Sequence, residues 1–76
     1  MAQHTTHWTR ELVDRKRMLH STIDLAAGSA PAEAARARLA LYTVTYEFNE
    51  GLRDAARVAE AFDDLERSLN RVSVAA

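Results

Sequence analysis

Phe48-Asn49-Glu50-Gly51-Leu52-Arg53-Asp54-Ala55 is the stretch whose reading decides how this chain folds. On either side of it apolar residues recur at steps of four and three. Ala37, Leu41, Val44 and Phe48 come before, and Val58, Phe62, Leu65, Leu69 and Val72 after. Gly51 and Ala55 carry the same count through the middle without a slip. A 4-3 repeat sustained this long is the seam of a coiled coil. A loop at Asn49-Glu50-Gly51 would ordinarily shift the phase, so the pattern predicts one continuous helix over about 31–72. A bend at 49–51 is the alternative. At 1.5 Å per residue the continuous helix would be ~60 Å long. Gly51 inside it costs about 1 kcal/mol against alanine, and a close helix crossing would offset that cost. Phe48, Gly51, Ala55 and Val58 are accordingly the expected crossing residues of a dimer.

Upstream, Ala26-Ala27-Gly28-Ser29-Ala30-Pro31 is a clear break. Gly28 can take the left-handed conformation that closes a helix, Ser29 can cap the next, and Pro31 fits its first turn. Glu33 places a carboxylate near the positive end of that second helix. A first helix over about 5–27 is expected before the break, capped by Thr5 or Thr6. Its stripe is Trp8, Leu12, Leu19, Ile23 and Ala26, one face at a 3.6-residue period. Arg10/Asp14, Glu11/Arg15 and His20/Asp24 stand four apart on its other faces and support it by a few tenths of a kcal/mol each, about 0.2–0.5.

The first half of the second segment is apolar on another side too, through Leu39, Tyr42 and Tyr46. A helix with two apolar faces needs two partners. Two all-α arrangements supply them. In one, a helical hairpin pairs its long second helix antiparallel with that of a second chain, giving a swapped homodimeric bundle. In the other, the chain bends at 49–51 into a monomeric three-helix bundle. The unbroken phase favours the dimer. Size points the same way. A single domain of 76 residues buries only about 60% of the surface its unfolded chain exposes. Without cysteine it has neither disulfides nor thiolate-bound zinc, which leaves oligomerisation as the common remedy.

Composition narrows the function classes. The formal charge of -1 lacks the basic excess of a dedicated nucleic-acid binder. The amino terminus has no basic segment followed by an apolar one, so it does not read as a secretory signal. No apolar run approaches the roughly 18 residues a membrane helix needs. A cytoplasmic location with no membrane partner is the expectation. Arginine far outnumbers lysine and alanine is abundant, which fits a GC-rich bacterial or phage genome.

Several residue groups invite a chemical reading. His4 and His7 have a spacing that can chelate a metal, but no further ligand lies nearby in sequence, so no metal site and no cofactor is expected. The carboxylates Glu47, Glu50, Asp54, Glu60, Asp63, Asp64 and Glu66 lack the downstream histidines a di-iron bundle needs. Arg15-Lys16-Arg17-Met18-Leu19-His20 contains an Arg-x4-His spacing that resembles the motif of the HEPN ribonuclease superfamily. That resemblance implies a cleft at a dimer interface, with Arg15 holding a phosphate and His20 moving a proton. The chain is shorter than a usual member and carries the motif on its first helix rather than late in the bundle. The same cations with Arg36 and Arg38 could approach nucleic acid, although Glu11, Asp14 and Asp24 blunt the field.

Trp8, Tyr42 and Tyr46, with Arg15 and Arg17, are the expected binding residues, because aromatic and arginine side chains dominate hot spots. For the tyrosines, packing against Trp8 as core is the expected role, and an exposed aromatic patch is the alternative. No nucleophile–base pair or phosphate loop can be assembled. The expectation is a small non-catalytic protein-interaction module of the adaptor, antitoxin or phage or bacterial inhibitor type. It would be homodimeric and dock another protein through a helix face. A minimal HEPN-like ribonuclease is the alternative.

Overall fold

In the computed structural model, residues 7–75 are described, with side chains over residues 7–72. Three helices follow one another, α1 (Arg10–Ala26), α2 (Pro31–Asn49) and α3 (Ala55–Ala75). The described residues contain no strand, and each helix packs against the other two. An all-α bundle is therefore the architecture, as the periodicity indicates.

The continuous helix over 31–72 is not what the chain forms. α2 stops at Asn49, and Gly51 turns left-handed at φ 76°. The Gly51 amide donates to the Phe48 carbonyl at 3.1 Å and the Leu52 amide to that of Glu47 at 2.8 Å. This pair of bonds is the glycine closure of a helix end, which satisfies carbonyls that otherwise have no partner. Arg53 straps the turn by donating from Nε and Nη2 to Glu47 Oε1 at 2.8 and 2.5 Å. Asp54 then starts α3, its carboxylate accepting from the Arg57 amide at 3.0 Å.

The turn wins for a reason the 4-3 count cannot show. Phase matters only within a helix, and two antiparallel helices joined by a loop need only face the same core. Phe48 and Phe62, both fully buried, meet in that core with Leu19, Ile23, Leu41 and Val58. A straight helix would leave half this seam uncovered within one chain, forgoing about 1.5–3 kcal/mol for each large side chain left wet. The expected crossing residues are accordingly distributed around the turn. Phe48 and Val58 are core, Gly51 is exposed in the turn, and Ala55 opens α3.

Two helix ends also differ from expectation. α1 begins at Arg10, not near residue 5, because Thr9 is its cap and its Oγ1 accepts from the Leu12 amide at 3.1 Å. Thr5 and Thr6 lie outside the described residues. Trp8 and Val13 take the flanking positions of a hydrophobic staple and line the same groove. At the first break Ala30, not Ser29, is the N-cap of α2, with no side-chain bond. Gly28 is not left-handed. Three backbone bonds, Gly28 to Leu25, Ser29 to Ala26 and Ala30 to Ala26, close α1 without that conformation.

The two glycines should therefore respond differently to alanine. At Gly51 nothing lies within 4 Å of an added Cβ, but the left-handed backbone remains, and Gly51→Ala should cost about 1–2 kcal/mol. At Gly28 the nearest atom is the Leu25 carbonyl oxygen at 3.6 Å, an ordinary contact. Gly28→Ala should be neutral or stabilise by up to about 1 kcal/mol. Urea midpoints of the two variants check the contrast.

Candidate interaction surface along α1 and α2

The side of α1 turned toward α2 carries Val13, Lys16 and His20, with Arg17 at its outer edge. With Trp8 ahead of them and Tyr42, Thr45 and Asn49 from α2, they line an open groove. Its wider end, of about 450 Å³, is lined by Trp8, Val13, Lys16, Arg17, Thr45 and Asn49. His20, Leu41 and Tyr42 continue it along the helices.

Trp8 is the fixed wall. Its Nε1 donates to Asn49 Oδ1 at 2.9 Å, and its ring meets Phe48 edge-on with centroids 4.9 Å apart. Lys16 Nζ sits 5.9 Å from the centre of the same ring, a cation–π distance. Trp8 thus packs with Phe48, not with the tyrosines. Tyr42 and Tyr46 are 67% and 62% exposed, and Leu39 is 68% exposed. The expectation that the two tyrosines join the core is overturned, because five other residues of α2 (Ala34, Ala37, Leu41, Val44 and Phe48) already fill the face that α1 and α3 cover.

The arginines divide by partner. Arg15 lies on the other side of α1 and reaches α3, donating to Asp63 Oδ1 at 2.6 Å and Glu66 Oε2 at 3.4 Å. Its guanidinium also stands 5.6 Å from the centre of the Phe62 ring. Burial lowers the Arg15 pKa, but the bonds to Asp63 and Glu66 and their negative charges outweigh it, so the group sits above the ordinary arginine value. Arg36 pairs with Glu33 and Arg38 with Asp24. Arg53, Arg57 and Arg67 pair with Glu47, Glu60 and Asp64. Among the described residues Arg10, Lys16, Arg17 and Arg71 make no such pair, and of these Lys16 and Arg17 border the groove.

Arg15 and His20 are consequently not brought together in one chain. Five residues at 100° each separate them by about 140° around α1. Arg15 meets α3 while His20 lines the groove beside α2. Arg36 and Arg38 are likewise held by carboxylates and do not join the Arg15-Lys16-Arg17 segment. His7 is exposed, and His4 lies outside the described residues. Among the described residues no helix is long and apolar enough to cross a membrane.

Sequence inspection did not single out Thr45. Its Oγ1 is buried on the groove floor with no hydrogen-bond partner. Nothing in a single threonine on an apolar helix distinguishes such a hydroxyl from one bonded to its own backbone, as Thr43 Oγ1 is to the Leu39 carbonyl at 3.0 Å.

No protein-family model, curated protein or solved structure matches the chain.

A buried hydroxyl without a partner costs about 1–3 kcal/mol in desolvation, and valine has the same shape without that cost. Thr45→Val should stabilise the bundle by about 1 kcal/mol, a rise of about 4–8 °C in Tm for a domain of this size. Thermal unfolding followed by circular dichroism checks it.

Proposed function

We propose that this chain is a small non-catalytic protein-interaction module of the adaptor or inhibitor type, acting as a homodimer. In this reading the groove between α1 and α2 docks an acidic segment of another protein. The observation that carries the reading is the charge pattern. Six arginines are matched to carboxylates across and along the helices, while Lys16 and Arg17 border the groove without one. Trp8 and Tyr42 give the same groove an aromatic wall and rim. Aromatic anchors beside arginine are the composition of binding hot spots. An acidic partner would supply the carboxylates that the fold withholds from Lys16 and Arg17. Tyr46 belongs to the outer face of α2, and Arg15 to the α1–α3 strap.

The test is capture of a partner on the tagged chain, followed by titration of the purified pair. A partner protein bound in fixed ratio is expected, with affinity falling about tenfold or more, about 1.4 kcal/mol, when Lys16 and Arg17 are both changed to Glu. Ser21→Ala, on the outer side of α1, should leave binding within a few-fold. Two results would sink the reading. One is binding indifferent to the charge reversal. The other is cleavage of RNA that disappears in His20→Ala.

A further inference from the structure

The outward face of α2 has no counterpart in the fold. Ala32, Ala35, Leu39, Tyr42, Thr43 and Tyr46 fall within about 100° of arc at 100° per residue, and all six are exposed. None is charged. The charged residues of α2, Glu33, Arg36, Arg38 and Glu47, lie outside that arc, and each is held in an ion pair. The Thr43 hydroxyl is already bonded to its own helix. α2 is therefore apolar both toward the core and away from it, where a surface helix ordinarily turns charge toward water.

We infer that a second copy of this chain covers this face, its α2 antiparallel to the first across a two-fold axis at Leu39. The inference rests on the homodimeric part of the function proposed above and names the surface that makes the dimer. Three observations select a second copy as occupant. An antiparallel pair centred on Leu39 sets residue 39 + n against residue 39 − n. Tyr46 then falls opposite Ala32, Thr43 opposite Ala35 and Leu39 opposite itself, while Tyr42 falls opposite Arg36, one residue from Ala35. At each end of the face a tyrosine meets an alanine, which is the self-complementarity a two-fold contact demands. The face also carries no charge that a copy of itself would repel, and none that would favour an acidic or basic stranger.

Area is the third argument. A whole aromatic side chain buries about 150–250 Å², so the two tyrosines, about two-thirds exposed, offer roughly 250 Å². Leu39, Thr43 and the two alanines bring the face to roughly 500 Å² per chain, at the upper end of the patches monomers expose. A total near 1,000 Å² belongs with small, reversible interfaces. The dimer should therefore dissociate on dilution. Lys16 and Arg17 lie on the α1 side of this face, so the dimer presents the Trp8 end of the docking groove twice, with Tyr42 between the copies.

Sedimentation equilibrium over a hundredfold concentration range tests the dimer itself. The mass should rise from the 8.5 kDa of one chain toward twice that value. Leu39→Arg, which sets two like charges on the axis, should hold the mass at one chain throughout. Its circular dichroism should be unchanged, because Leu39 is exposed and no core contact is lost. Cysteine linkage tests the geometry, in a chain with no cysteine of its own. Leu39→Cys should form a disulfide-linked dimer under mild oxidation, whereas Ser21→Cys, on the outer side of α1, should not. A chain that stays monomeric overturns both the dimer and this face. A dimer that survives Leu39→Arg, as one swapped through residues 50–54 would, overturns the face alone. So does linkage through Ser21→Cys in preference to Leu39→Cys.

Discussion

Burial of Phe48 and Phe62 in one core is the constraint on which the rest of this structure depends. The two rings lie on successive helices, so they can share a core within one chain only if the backbone reverses between them. That reversal needs a residue tolerant of positive φ, and Gly51 supplies it. Once α2 and α3 are antiparallel, Leu41, Val44 and Phe48 face Val58, Phe62 and Leu65, and α1 closes the third side with Leu12, Leu19 and Ile23. Every other feature, including the placement of charge and the groove, follows from which helix flanks this core leaves open.

Much of this was legible in the residues. The stripe of α1, the break before Pro31 and the seam of α2 and α3 were all visible as periodicity, and among the described residues every buried one except Ala34 belongs to that stripe or seam. The turn was not, because a heptad count that survives a loop by coincidence looks the same as one that survives because there is no loop. Asp54, a good cap placed directly before Ala55, was the local signal of a new helix start. The 4-3 count takes no account of it. The cap at Thr9 was missed for a similar reason, since Trp8 fits the stripe of α1 whether it lies inside the helix or just before it.

The candidate surface was legible in part. Tyr42 and Tyr46 attract notice in any reading, but sequence cannot say whether the core has room for them. The packed structure answers by volume, since five smaller or better-placed residues of α2 already fill the shared interior. Arg15 and Arg17 look equivalent in sequence and are not. Two positions along a helix rotate the side chain by 200°, enough to give Arg15 the carboxylates of α3 and Arg17 none. What a cation does in a small helical bundle depends on which neighbour its rotation selects, and that is known only when the neighbours are placed.

The short connections, residues 27–30 and 50–54, bear on time as well as shape. Most contacts of such a bundle lie within one helix or between helices adjacent in sequence, with α1 against α3 the exception. Chains of such low contact order fold in microseconds to milliseconds. Meeting another macromolecule at micromolar concentration, with an association rate constant of about 10⁵–10⁷ M⁻¹s⁻¹, takes roughly 0.1–10 s. Folding on the faster side of that comparison is complete before an encounter. Exchange of a helix between chains would require the turn closed by Gly51 to reopen first.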